Sequence, residues 1–434
     1  MRSNLITVVT AVASMVLVAS MASADQVQEQ FRLMEQRMAE MEDRLEATSD
    51  DLRTARATVD EQQSLLTDAG LVDASDQGLR SAVGSFFESV DVSGVAAASY
   101  NHRLIKADDP NGGNALFKNP NANTFQVDQI WLTLDKAPTE ESRAGFHAEF
   151  ATGASATVQG DGGGGDGVPY LYSGYVSYLA PVLDGVQVDL GRLGTVLGAE
   201  VVQTNGNFFV TQGAVFGLQP VTYNGVSLGT SITDEISVVA GVVNDVYSDT
   251  MVSADNNKAY FGQVSYGGEA FGLNVGGIIG DSDASVCVQG AFPGQNDCQV
   301  SIVDVVLTAD PTDNLSVWAN FDWVNVNGSD NGPDGNAFGI AGAGRLGITD
   351  TMGIASRIEY INTSSNLTGL ADDSELFTVT GTLDKTLTDG LVTRLELRYD
   401  TFLDDNGTGF TLNGDAAGTN DDQLVALWQM YYEF

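Results

Sequence analysis

Basic side chains and cysteines are scarce in this sequence. Its 434 residues include 19 Lys or Arg against 58 Asp or Glu, so the formal net charge is -39. A nucleic-acid-binding protein needs a basic face, and this charge balance excludes that class. Two Cys residues cannot build a disulfide-rich scaffold. The sequence is nevertheless 43% hydrophobic, which excludes an acidic disordered chain, because such chains are poor in apolar residues.

The apolar run at the N-terminus is too short to be a transmembrane helix. It extends from Leu5 to Val18, whereas a spanning helix needs about 20 apolar residues. It follows Arg2 and precedes Ala22, Ser23 and Ala24, which form the small-x-small pattern of a cleavage site. We therefore predict a signal peptide over residues 1–24 and export of the mature chain.

The first part of the mature chain has the apolar spacing of a coiled coil. From Val27 to Leu66 the apolar positions recur in alternating steps of four and three, which is the a/d pattern. So narrow a stripe needs copies of itself or a partner to be buried, although a lone solvated amphipathic helix is the alternative. We predict a coiled coil over residues 25–69 and a linker over 70–87.

The remaining residues, 88–434, alternate apolar and polar side chains in segments of about ten residues, as in transmembrane barrels. Short connections such as 349–350 alternate with long ones such as 194–219 along the whole region. Barrels of the outer membrane have this asymmetry, with short periplasmic turns and long outer loops. We predict an all-β antiparallel transmembrane barrel of about 16 strands, preceded by the helical coiled coil in the periplasm. The predicted strands are 88–101, 125–135, 142–152, 170–180, 185–193, 220–230, 235–244, 258–267, 270–280, 299–309, 314–325, 337–348, 351–361, 375–385, 391–401 and 422–434.

The two faces of individual strands fit a water-filled lumen. In 391–401, Leu395 and Leu397 share one face, whereas Arg394, Glu396 and Arg398 share the other. In 142–152, His147 and Glu149 likewise oppose an apolar face. Burying so many charged side chains in a core without water would cost too much free energy. A water-filled lumen solvates them, while the apolar face contacts lipid.

The last strand ends in alternating aromatic residues. Trp428, Tyr432 and Phe434 share one face, and Phe434 is the final residue. This pattern resembles the C-terminal signature by which bacterial outer-membrane barrels are recognised for assembly. It implies the barrel-assembly machinery and outer-membrane lipid as partners.

Three segments carry a family resemblance. They are 190–200 (LGRLGTVLGAE), 205–209 (NGNFF) and 220–225 (PVTYNG), with a looser match at 242–245 (VVND). They resemble the OmpL-like β-barrel porin-2 family, and the sixteen-strand pattern resembles Gram-negative trimeric porins. A periplasmic coiled coil ahead of the barrel is similar in architecture to DcaP-type channels. These resemblances imply a homotrimeric porin of the bacterial outer membrane.

The third long connection, 194–219, is apolar for an exposed loop. In general porins the third outer loop folds into the lumen and narrows it, and an apolar loop gains by packing against the inner wall. Glu200 and Asn207 are then its polar contributions to a constriction. An extra strand pair or a subunit contact is the alternative. The apolar residues are Val201, Val202, Phe208, Phe209, Val210, Val215 and Phe216.

A strip of arginines falls on the lumen face of the later strands. Its members and the glutamates beside them are Arg345, Arg357, Arg394, Arg398, Glu359 and Glu396. Opposed charges across a constriction create a transverse field that orients charged solutes. The same residues could instead satisfy one another as ion pairs within the wall, and both interpretations can hold together.

One long loop contains both cysteines, Cys287 and Cys298. A disulfide is expected in an oxidising exterior, with two free thiols as the alternative. Loops 161–166, 330–334 and 404–406 mix Asp, Asn and Gly. Such loops can hold Ca²⁺, but none has a full EF-hand spacing, and solvated acidic loops are the simpler interpretation.

The predicted function is a porin that allows passive diffusion of small polar or charged solutes. The acidic surplus favours cations and the arginine strip favours anions, so the sequence leaves the selectivity open. The alternative is a structural anchor that links the outer membrane to the periplasm or cell wall through the coiled coil. No catalytic constellation is recognisable, so we expect neither an enzyme nor a cofactor.

Overall fold

The structure is a computed structural model, and it divides the chain into two units, Met1–Glu88 and Ser89–Phe434. The residues it describes are 89–104, 123–155, 169–183, 185–247, 258–282, 298–328, 334–364, 374–403 and 422–434. The predicted signal peptide, coiled coil and linker lie outside the described residues.

Within these ranges, sixteen β-strands form one closed barrel in which each strand is antiparallel to the next along the chain. This confirms the predicted antiparallel barrel of about 16 strands. The strands are β1 (Asp91–Arg103), β2 (Thr124–Lys136), β3 (Ala144–Thr152), β4 (Tyr170–Ala180), β5 (Val186–Gly194), β6 (Thr222–Ser231), β7 (Ile236–Val243), β8 (Ala259–Gly267), β9 (Gly272–Ser282), β10 (Cys298–Thr312), β11 (Leu315–Gly328), β12 (Gly335–Thr349), β13 (Met352–Thr363), β14 (Ser374–Thr388), β15 (Leu391–Phe402) and β16 (Asp422–Glu433). Helices with the length and hydropathy needed to span a lipid bilayer are absent from the described residues.

The first and last strands close the barrel. They pair from Val95 opposite Glu433 to Arg103 opposite Val425. Beyond this ladder the main chains of Gly94 and Phe434 exchange two hydrogen bonds, each 3.1 Å long. Closure matters because it leaves no unpaired strand edge within the hydrocarbon layer.

Connections at one end of the barrel are short. The β14–β15 turn, for example, consists of Asp389 and Gly390. Gly390 has φ +74°, a conformation that L side chains rarely adopt, and a Cβ there would meet the carbonyl oxygen of Glu433 at 2.5 Å. Glycine therefore permits this tight turn beside the end of β16.

Side chains alternate across the barrel wall as predicted. On β15, Leu397 is 53% exposed on the outside, whereas its neighbour Arg398 is 0% exposed. Ile354 and Ile358 on β13 are exposed in the same way. An apolar outer face suits contact with lipid hydrocarbon, so the charged residues lie inside.

The connection between β5 and β6 folds into the barrel, and we call residues 195–221 the inner loop. It contains two short 3₁₀ helices, Thr204–Gly206 and Val215–Leu218, and no strand. Val215 and Leu218 are buried in one cluster with side chains of the wall, including Ile361. The alternative of an extra strand pair therefore does not apply to this loop.

Candidate solute path and inner loop

An ion pair joins the inner loop to β13. One Nη of Arg357 lies 2.5 Å from Oε1 of Glu200, and its Nε lies 3.0 Å from Oε2 of Glu359. The amide of Gly213 donates to the other oxygen of Glu200 at 2.6 Å. Burial raises the pKa of Glu200, because Arg357 is shared with a second carboxylate and offsets only part of the desolvation cost. The arrangement links both halves of the loop to one strand.

Arg394 on β15 binds main-chain carbonyls of the loop. Its two Nη atoms donate to the oxygens of Thr204 at 2.9 Å, Phe209 at 3.2 Å and Asn207 at 2.8 Å. The guanidinium also lies over the ring of Tyr431, 4.6 Å from its centroid. A planar group with five donors is suited to bridging several carbonyls at once.

Glu396, also on β15, accepts hydrogen bonds from the middle of the loop. The amides of Val210 and Thr211 donate to it at 2.6 and 3.1 Å, and the Thr211 hydroxyl donates at 2.6 Å. Arg398 completes this contact by donating to the Thr211 hydroxyl at 3.2 Å and to the carbonyl of Gln212 at 2.5 Å. Its Nε pairs with Asp400 at 2.9 Å.

The side chain of Asn207 forms its hydrogen bonds within the loop and not across the lumen. Its amide nitrogen donates to the carbonyls of Val201 and Gln203 at 2.7 and 3.0 Å, and its oxygen accepts from the amide of Val201 at 2.9 Å. These bonds fix the fold of residues 201–207 of the inner loop, so the wall residues contact a preformed surface.

Arg345 is the predicted strip residue that differs from the others. It pairs with Asp384 through two bonds of 2.9 and 2.6 Å, and its side chain is 36% exposed. None of its hydrogen bonds or ion pairs in the described residues goes to the inner loop.

The structure therefore brings together seven of the eight predicted constriction residues in one buried contact between loop and wall. They are Glu200, Asn207, Arg357, Glu359, Arg394, Glu396 and Arg398. The charged members form ion pairs with one another or hydrogen bonds with carbonyls and amides of the loop. This geometry supports the interpretation of ion pairs that satisfy one another, because each charged member is bonded to an opposite charge or to the main chain of the loop.

Two cavities lie on the other side of the inner loop. One cavity of about 710 Å³ extends from the short-turn end and is bordered by Ser93, Trp131 and Glu433. A second cavity of about 330 Å³ lies against β3, β4 and β5, beside His147 and Tyr175. The two share three lining residues, Glu149, Val201 and Gln203, so they meet at that point.

A hydrogen bond crosses the meeting point of the cavities. Nε2 of Gln203 on the inner loop donates to Oε1 of Glu149 on β3 at 2.6 Å. Beside it, Nδ1 of His147 lies 2.9 Å from Asp135 and its Nε2 lies 3.7 Å from Glu149. The ring of His147 stacks on Tyr175 with centroids 5.0 Å apart. This group was not singled out from the sequence, although strand alternation placed His147 and Glu149 on the charged face.

The other predicted sites are partly outside the described residues. Cys298 begins β10 and is disulfide-bonded. Cys287 lies outside the described ranges, so the pairing of the two stays a prediction. The acidic loops 161–166 and 404–406, and most of 330–334, also lie outside. Among the described residues, no group of three or more His, Cys, Asp or Glu is placed to hold a metal ion.

The predicted assembly signal lies on the outer surface of β16 and just beyond it. Trp428, Tyr432 and Phe434 are all exposed. The indole of Trp428 donates to the Thr393 hydroxyl at 2.9 Å. The rings of Tyr432 and Phe434 are stacked, with their centroids 6.4 Å apart. Their role in assembly stays a prediction.

Solved outer-membrane proteins share this fold. OmpT of Vibrio cholerae in its trimer form is 14% identical with a TM-score of 0.55, covering 80% of this chain and 99% of that chain. An anion-selective porin from Comamonas acidovorans is 12% identical with a TM-score of 0.56, with coverage of 80% and 99%. The channel DcaP of Acinetobacter baumannii is 10% identical with a TM-score of 0.55, covering 80% and 97%. At these identities the likeness concerns the fold.

The sequence also matches a family model. Among curated proteins none matches significantly. Residues 89–434 match the family described as putative β-barrel porin-2, OmpL-like. Because this match includes every described strand, the protein belongs to the OmpL-like β-barrel porin-2 family.

Proposed function

We propose that the protein is an outer-membrane porin through which small polar or charged solutes diffuse passively. The observation that carries this proposal is the pair of cavities between the inner loop and the wall formed by the end of β16 and strands β1 to β5, which meet at Glu149 and Gln203. The larger cavity, at about 710 Å³, has the size of a pocket for a small molecule, for which the usual range is roughly 300–1,000 Å³. Family and fold point to a channel and not to an enzyme.

In this proposal the buried contact between loop and wall has a positioning role. Arg357, Arg394, Glu396 and Arg398 hold the inner loop against strands β13 to β15, and Gln203 at the loop's tip then faces Glu149 on β3. The constriction is the point where the hydrogen bond between Gln203 and Glu149 crosses the path. Solutes pass where the two side chains separate, and the rigid loop sets the limiting size.

Liposome swelling tests the proposal. Proteoliposomes would be diluted into isosmotic solutions of neutral sugars of increasing size, together with small charged solutes. Diffusion through one constriction predicts that swelling rates fall steeply with solute size and do not saturate with concentration. An absence of swelling above that of protein-free liposomes for every solute would contradict the proposal.

We further propose that the protein assembles as a homotrimer in the outer membrane. The support is the family, the trimer form of the Vibrio cholerae structure and the need of the predicted coiled coil to bury its stripe. Mass measurement of the detergent-solubilised protein, corrected for bound detergent, tests this. A monomer at all protein concentrations would contradict it.

A further inference from the structure

We propose that Glu149 makes the channel select cations over anions, so that its substrates are small cations and cationic organic solutes. This inference rests on the proposed channel function and specifies the charge of what passes. It starts from the position of Glu149, which lines both cavities and is hydrogen-bonded to the inner loop where the two meet. Any solute that follows the two cavities passes this carboxylate.

The arginines that hold the inner loop do not line the two cavities. Arg357 lies on the far side of the inner loop between Glu200 and Glu359. The fully buried Arg398 pairs with Asp400. Neither Arg nor Lys is among the described residues that line the two cavities. Arg357, Arg394 and Arg398 are thus buried against the loop, and Arg345 pairs with Asp384 away from it. The two cavities are lined by acidic side chains.

Other charged groups along the two cavities leave the balance negative. Glu200 borders the smaller cavity and pairs with Arg357, which it shares with Glu359. Glu433 borders the larger cavity. His147 is the basic group present, and it stands between Asp135 and Glu149. Even when its imidazole is protonated, two carboxylates face one positive charge, so the group stays negative in either state of the histidine.

The partners of Glu149 are neutral donors that orient it without cancelling its charge. They are the amide of Gln203 at 2.6 Å and the hydroxyl of Thr133 at 3.4 Å. A fixed carboxylate in a narrow space with low-dielectric walls raises the local concentration of cations and repels anions. The Comamonas acidovorans porin is described as anion-selective, so the shared fold does not determine the sign.

Reversal potentials across planar bilayers in a KCl gradient test the inference. The wild-type channel should give a permeability ratio of K⁺ to Cl⁻ above one. The variant Glu149→Gln keeps an acceptor for Gln203 but removes the charge, and should lower the ratio by roughly threefold, the scale of one screened charge. The matched control Glu235→Gln removes a charge from the exposed β6–β7 turn, and should leave the ratio unchanged.

The outcomes separate this inference from the channel function itself. Open channels that prefer Cl⁻ would overturn it, as would an equal effect of the Glu149 and Glu235 variants. Absence of any conductance would instead contradict the proposed function. A heat-modifiable gel mobility equal to that of the wild type verifies that the Glu149→Gln barrel is folded. If this variant does not fold, Asp135→Asn in the same group should lower the permeability ratio of K⁺ to Cl⁻. An unchanged ratio in Asp135→Asn would then overturn the inference.

Discussion

Arg357 on β13 and Glu200 on the inner loop form an ion pair of 2.5 Å between residues 157 positions apart in the chain. Both side chains are buried. Removal of one partner leaves the other as an uncompensated buried charge, which costs far more than an exposed ion pair is worth. The position of the inner loop is therefore tied to the charges of the wall.

Replacing Arg357 by Ala should destabilise the barrel by about 3–5 kcal/mol, the usual cost of breaking a buried ion pair. Two carboxylates, Glu200 and Glu359, would be left without their cation, and the loop should detach. Urea unfolding followed by tryptophan fluorescence measures the first effect, and larger, noisier single-channel currents report the second. Arg345→Ala is the control, because Arg345 pairs with Asp384 and is partly exposed; equal effects of the two variants would contradict this view of the loop.

The closeness of the loop to the wall can be probed without changing any charge. A Cβ on Gly213 would collide with the carboxylates of Glu359 and Glu200, whereas a Cβ on Gly217 in the same loop would meet nothing within 4 Å. Gly213→Ala should therefore disturb the channel current and lower the stability, and Gly217→Ala should resemble the wild type. Overpacking typically costs about 1–3 kcal/mol. Similar urea midpoints for both variants would argue against the buried contact.

Gln203 is expected to limit the size of the pore. Gln203→Ala removes the side chain that spans the gap to Glu149, so the conductance and the largest permeant sugar should both increase. The preference for cations should persist, because Glu149 keeps its charge. Gln187→Ala on β5 is a suitable control, since Gln187 is bonded to Asp189 and is not among the residues that line either cavity. A lower or unchanged conductance in Gln203→Ala would place the constriction elsewhere.

The predicted disulfide between Cys287 and Cys298 is open to a direct chemical test. Maleimide labelling of the denatured, unreduced protein should find no free thiol, and two after reduction. Cys298→Ser should destabilise the protein by about 3 kcal/mol in the chain-entropy model. A pair of free thiols before reduction would show that the pairing is wrong.

Deletion of the predicted coiled coil separates the porin from the structural anchor. A variant that lacks residues 25–69 should keep its conductance, because the path runs within the barrel, although its trimer should be weaker. A structural anchor should lose its envelope function in the same variant while the barrel still inserts. Loss of all conductance from a correctly inserted barrel would contradict the channel path proposed above.

Much of the barrel could be predicted from the sequence, because alternation identifies both a strand and its faces. The prediction of a strand at 391–401 matches β15 at Leu391–Phe402, and 351–361 matches β13 at Met352–Thr363. Strand ends differ more, since the strand predicted at 314–325 extends to Gly328 in β11. The ladder continues beyond the apolar pattern because backbone pairing does not depend on side-chain polarity.

The alternation of apolar and polar residues could not predict which charged side chains of the lumen line a cavity and which are covered by the inner loop. It placed Arg394 and Glu149 on the inner face alike. Both are largely buried, with Arg394 5% and Glu149 7% exposed. Arg394 is bonded to loop carbonyls such as that of Thr204, 190 positions away, whereas Glu149 lines the cavities. The difference depends on the path of the inner loop, which is a tertiary property with no local sequence signal.

Single-channel recording of the purified protein in planar bilayers tests the central claim most directly. A water-filled path past the inner loop predicts stepwise current increments of uniform size that scale linearly with voltage. Folded, inserted protein that gives no increments at any voltage would contradict it.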